Sequence, residues 1–231
     1  MSGKPAPGLT PIAQSIDSGP HGHGPDTPGH DAEGACGTSI IPAPGLTPGF
    51  TDPVLNAQSC FRAVLDAMAR PGRVHTVSLP SAPPPLGAAA AAVLLTLIDH
   101  ETPLWVDPAL HGARDWIAFH CGAPSACISQ AAFAVALSMP DLPGLRPGTH
   151  ETPEAAATLI LQVASLSAGR RLSLRGPGLR EPGIMTVDGL PDDFRQRWAA
   201  NRALFPCGID LILCAGSTLA ALPRGIAIED A

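Results

Sequence analysis

From residue 50 onward the apolar and polar positions follow periods that define elements. Val54, Ala57, Phe61, Val64, Leu65 and Met68 recur at the spacing of a helix face. Thr51 or Asp52 supplies a capping oxygen, Pro53 suits the first turn, and Arg70-Pro71-Gly72 stops the run. Residues 86–99 predict a second helix, filled with Ala and Leu almost all round and therefore deeply buried. Extended segments are expected at 103–106 and 131–137, with a helix between them at 113–120. The near-continuous apolar run 158–165 has the pattern of a central strand covered on both faces. Arg171–Arg175 alternates, and Ser167-Ala168-Gly169 reads as a turn that pairs it with that run in a hairpin. Pro191 opens a further helix, on which Phe194 and Trp198 share a face. The segment 209–222 is strand, Gly216-Ser217 turn, strand. Helices and strands interleave without a regular βαβ rhythm. The fold class is therefore α/β, a single domain at 50–231 with a mixed β-sheet flanked by helices.

Residues 1–49 break these periods. They are rich in Pro, Gly, Ser and Thr and poor in large apolar side chains, the composition of a disordered tail. Ala-Pro-Gly-Leu-Thr-Pro stands at 6–11 and again at 43–48, a local duplication too short for a repeat architecture. His21, His23 and His30 in this tail form a tract that either binds metal weakly or does nothing; composition alone produces such tracts, so no metal site is assigned.

Composition narrows the chemistry. The chain has 231 residues, 45% of them hydrophobic and 15% charged, enough apolar material for one sizeable core. A net charge of −6 argues against a nucleic-acid partner. Arginine supplies every basic side chain except Lys4, which lies in the tail. A P-loop needs a lysine at the phosphates and pyridoxal phosphate needs one for its Schiff base, so the domain is expected to hold neither cofactor. Gly176-Pro177-Gly178 reads as a turn, because proline removes an N–H that a phosphate loop would use. Cys36, Cys60, Cys121, Cys127, Cys207 and Cys214 form no C-x-x-C pair, which suits buried thiols in a reducing cytoplasm. The N-terminus has no signal-peptide apolar region. No apolar run reaches the ~20 residues of a membrane span, so a cytoplasmic protein is expected.

Three loci are candidates for a partner- or ligand-facing role. Asp210 stands between Ile209 and Leu211, just after Phe205-Pro206-Cys207-Gly208, and a carboxylate in such a strand must be hydrogen-bonded or paired. It is either a clasp that fixes the loop around Gly208 to the sheet or a group at an interface or pocket. Asp99, His100 and Glu101 form a polar knot between a buried helix and the next strand, either functional or a solvated helix end. His120 and Cys121 are adjacent on a helix and point apart, which favours capping or packing for His120 over a catalytic pair.

Several segments, in order, carry a family resemblance. They are Phe61-Arg62, then 67–72 (Ala-Met-Ala-Arg-Pro-Gly), 93–99 (Val-Leu-Leu-Thr-Leu-Ile-Asp) and 102–105 (Thr-Pro-Leu-Trp). Phe119-His120-Cys121-Gly122-Ala123-Pro124, 158–163 and 205–212 complete the series. Together they resemble the H subunit of the bacterial carbon–phosphorus lyase core complex. The resemblance implies a fold similar to a domain of pyridoxal-phosphate-dependent transferases, without the cofactor. It implies a homodimer that joins the G, I and J subunits, and acts with L. The family takes part in forming α-D-ribose 1-methylphosphonate 5-triphosphate from ATP and methylphosphonate, with release of adenine. It assigns no catalytic residue to this subunit. A non-catalytic scaffold in the same complex is the competing reading.

Overall fold

The computed structural model describes residues 46–230, so the greater part of the expected tail, with its histidines and Cys36, lies outside the described residues. The first helix, α1 (Pro53–Ala69), begins where Asp52 accepts a hydrogen bond from the Leu55 amide. The second, α2 (Ala88–Leu97), is shorter at both ends than the pattern suggested, with six of its residues buried. Helix α3 (Arg114–Cys121) ends at Gly122 in the left-handed conformation, and α4 (Phe194–Arg202) carries the buried Phe194 and Trp198. Pro191 precedes α4 by a turn rather than opening it; its carbonyl accepts the Phe194 N–H.

Six strands make the main sheet: β1 (His75–Thr76), β2 (Leu104–Val106), β3 (Phe133–Ala136), β4 (Thr158–Gln162), β7 (Asp210–Ala215) and β8 (Thr218–Leu222), in the order β1-β8-β7-β4-β3-β2. The four from β2 to β7 are parallel, and β7–β8 is the expected antiparallel hairpin. Register is set by the burial demanded of both faces. Ile160 and Ile212 pack toward α1, α2 and α3. Leu159, Leu161, Leu211 and Leu213 point the other way, into a second core.

That second core corrects two expectations. The far face of the sheet is covered by α4 and by a separate antiparallel sheet, not by helices alone. The second sheet has the order β6-β5-β9, from β5 (Ser165–Arg175), β6 (Gly183–Asp188) and β9 (Ala227–Asp230). The hairpin expected between 158–165 and 171–175 does not form. β4 pairs in parallel with β3 and β7, whereas β5 leaves that sheet and pairs with β6 and β9. Gly169 marks a register shift inside β5 rather than a turn. Its φ is +102°, and a Cβ there would lie 2.5 Å from the Val187 carbonyl oxygen, so only glycine fits.

The packed region also starts earlier than residue 50. Leu46 and Phe50 pack on the helical core. The Thr47 carbonyl accepts the Trp116 indole N–H at 2.9 Å, while the Thr47 hydroxyl donates to Ser81 O at 2.8 Å.

Candidate functional site

In open α/β sheets, ligands gather at the carboxyl ends of the parallel strands. Here that edge is closed by internal bonds. At the end of β2, Asp107 accepts the Ala109 N–H and, at 3.2 Å, the Leu137 N–H just beyond β3. At the end of β4, the Gln162 side-chain oxygen accepts the Gly87 amide at the start of α2. The Ala89 amide donates to Gly216 O at 3.2 Å. The α2 N-terminus, the kind of place where a phosphate would otherwise sit, thus has its first donors engaged. Gln162 Nε2 is buried and without a partner among the described residues. Sequence reasoning missed Asp107 and Gln162, since a polar residue closing an apolar strand looks like ordinary surface.

The described residues singled out from sequence as partner- or ligand-facing lie at the opposite edge. Leu104, Phe133, Thr158 and Asp210 form one row across the parallel strands, each at the first residue of its strand. The Asp99–Glu101 knot leads into this edge at β2, and Asp210 opens β7 there. Three strand spacings of about 4.8 Å put the β2 and β7 ends roughly 14 Å apart, so the two loci do not converge.

Asp99 accepts the Thr102 hydroxyl at 2.7 Å and the Glu101 N–H at 3.0 Å. These two bonds hold its carboxyl below the usual aspartate range. His100 and Glu101 are exposed, 3.9 Å apart, and His100 lies beside Gly122 at the end of α3. His120 stands near the same helix end. Its Nε2 is 3.0 Å from Thr47 O, and its ring lies 4.5 Å from Trp116 and 5.0 Å from Phe119. This is a packing contact that fixes the segment leading into α1.

Asp210 is a clasp, but not for the loop before it. Its carboxylate accepts the Arg224 backbone N–H at 2.8 Å and the Arg224 guanidinium in a two-pronged pair. Arg224 Nη1 continues to Pro153 O at 2.6 Å. Asn201 of α4 holds the Gly208 loop instead. It donates to Ile209 O at 3.0 Å and accepts the Ile209 N–H at 2.8 Å, and it is only 5% exposed. Gly208, at φ +103°, packs against Asn201 so closely that a Cβ would meet the Asn201 carbonyl oxygen at 2.8 Å. The periodicity that hid Asn201 is simple: it sits among polar residues on a helix that reads as solvated.

Burial pushes the Cys121 thiol up to about 11 and the Cys60 and Cys214 thiols upward as well. Cys127 is the exposed cysteine among the described residues. No group of three or more His, Cys, Asp or Glu among the described residues is placed to hold a metal ion. No helix among them is long and apolar enough to cross a membrane.

Residues 48–229 match the family model described as bacterial phosphonate metabolism protein (PhnH). The chain belongs to the PhnH family. A relative from Rhizobium meliloti (strain 1021), α-D-ribose 1-methylphosphonate 5-triphosphate synthase subunit PhnH, is 44% identical over 187 residues, covering 78% of this chain and 94% of the relative. Another from Stutzerimonas stutzeri, provisionally named C-P lyase subunit protein HtxG, is 37% identical over 171 residues, covering 72% of this chain and 83% of its own length. The family match begins at residue 48, next to Thr47, whose carbonyl binds Trp116.

Proposed function

We propose that this chain is a subunit of the carbon–phosphorus lyase system. In this reading it takes part in forming α-D-ribose 1-methylphosphonate 5-triphosphate from ATP and methylphosphonate, and is inactive alone. The identity of 44% to a synthase subunit, across nearly the whole of that relative, carries the reading. The geometry agrees with a contributing rather than a self-sufficient role, because the carboxyl edge of the sheet is closed by Asp107 and Gln162 and the polar loci at the other edge do not converge. Its partners are the G, I and J subunits, with L acting alongside, and the isolated protein is a cytoplasmic homodimer. We also propose that the fold is that of a pyridoxal-phosphate-dependent transferase domain without the cofactor, a reading supported by a chain whose sole lysine is Lys4.

Displacing adenine from ATP by a phosphonate oxygen brings two anions together, so cationic or metal clamps must offset their repulsion. A chain of net charge −6 is poorly suited to do this unaided. Adenine release from ATP and methylphosphonate should be absent with this protein alone. It should appear with G, I and L added, and fall sharply when this chain is left out. Full release without it would make it a scaffold, and turnover by it alone would overturn the proposal.

A further inference from the structure

Helix α1 is apolar on two sides. Its inner face buries Cys60, Val64 and Ala67. On the other side, Val54, Gln58, Phe61 and Leu65 follow one another at steps of four, three and four, a stripe along a helix about 25 Å long. Val54 is 77% exposed, Leu65 52% and Phe61 45%, with Leu55 beside them at 61%. An outward helix face is ordinarily charged. This one carries a single charge, Arg62, whose carboxylate partner is absent among the described residues. Asp66, one turn on, is already paired with Arg70, with Arg73 at 3.8 Å.

The stripe continues past the helix end. Ala69 and Gly178 line a shallow groove with Leu65, edged by Arg62, Asp66 and Arg70, and they also line the more apolar groove that reaches Phe205, which is itself 63% exposed. Contiguous apolar surface of this kind marks a protein–protein contact.

We propose that this outward face of α1 is the docking surface for another subunit of the lyase assembly, one that presents an apolar surface with a carboxylate opposite Arg62. The proposal rests on the subunit reading above. A second copy of this chain is the poorer occupant. Two such faces packed together would bury Arg62 twice, and the face offers no carboxylate in return, since Asp52 caps its own helix and Asp66 is taken. An unpaired buried charge is strongly unfavourable.

The test measures binding of the full-length chain to the co-expressed G, I and J subunits. Phe61→Glu with Leu65→Glu, and separately Arg62→Glu, should weaken binding by at least about tenfold, as expected for central interface positions. Arg62→Lys should keep most of it, and Ile184→Glu on the second sheet should leave it unchanged. Thermal melting verifies folding of each variant. Should a glutamate variant not fold, a photo-crosslinking residue in place of Gln58 must join to G, I or J. Binding unchanged in folded variants, or no such crosslink, overturns the proposal. So does loss of self-association with subunit binding intact, which would assign the face to a second copy. Failure of the unsubstituted chain to bind at all would bring down the subunit reading itself, and is seen before any substitution is made.

Discussion

At the scale of single residues, the polar groups that matter are those whose partners would be stranded. Asp210 and Arg224 are 20% and 15% exposed and tie the start of β7 to the turn after β8 and to Pro153. Asp210→Ala should cost about 2 kcal/mol in chemical denaturation, since it leaves a guanidinium and an amide short of their acceptor. Arg224→Met in the same background should then cost little more. Asn201→Ala should cost about 3 kcal/mol, because both backbone groups of Ile209 lose their partner in a buried place. Asp99 gives a pH signature. Its folded carboxyl is depressed by the Thr102 hydroxyl and the Glu101 amide, so its stabilising contribution is present above the unfolded value of about 3.9 and is lost as pH falls through the folded value. NMR titration should place the Asp99 midpoint below that reference, and Thr102→Val should move it upward. A midpoint at the reference in the unaltered chain would contradict the hydrogen-bonded turn.

At the scale of elements, periodicity located α1, α2, α3 and the β7–β8 hairpin, yet it could not orient them. Val54, Phe61 and Leu65 belong to the same helical apolar pattern as Val64, but they lie on the exposed side; a helix with two apolar faces has no sequence mark that says which one is inside. Gly169 was misread for a related reason. Ser-Ala-Gly suits a turn, and whether it makes one or a register shift depends on the strand across from it, here β6. The segment before α1 offers a test at this scale. Removing residues 1–45 should leave the melting temperature nearly unchanged, whereas removing 1–50 should lower it by several degrees. The longer deletion takes away Leu46, Phe50 and the acceptor that Thr47 gives to Trp116 and His120. Equal melting of the two truncations would mean that these contacts contribute nothing.

For the whole molecule, three layers enclose two cores, with helices α1 to α3 on one side of the six-stranded sheet and the second sheet with α4 on the other. The chain is expected not to form a Schiff base with pyridoxal phosphate in its folded domain. A visible absorbance band abolished by borohydride, mapped to residues 46–230, would refute this. That expectation rests on residue types alone, which also fix the excess of acid over base and the lack of any lysine beyond Lys4. They also set the α/β class, because runs of period two and period 3.6 need no partner to be legible. Which strands pair, which face of α1 is covered and that Asn201 rather than Asp210 holds the Gly208 loop were decided only by the tertiary structure. Each depends on contacts between different elements, such as Asp210 with Arg224 or β5 with β9, and the free energy that selects them exists only once both are in place.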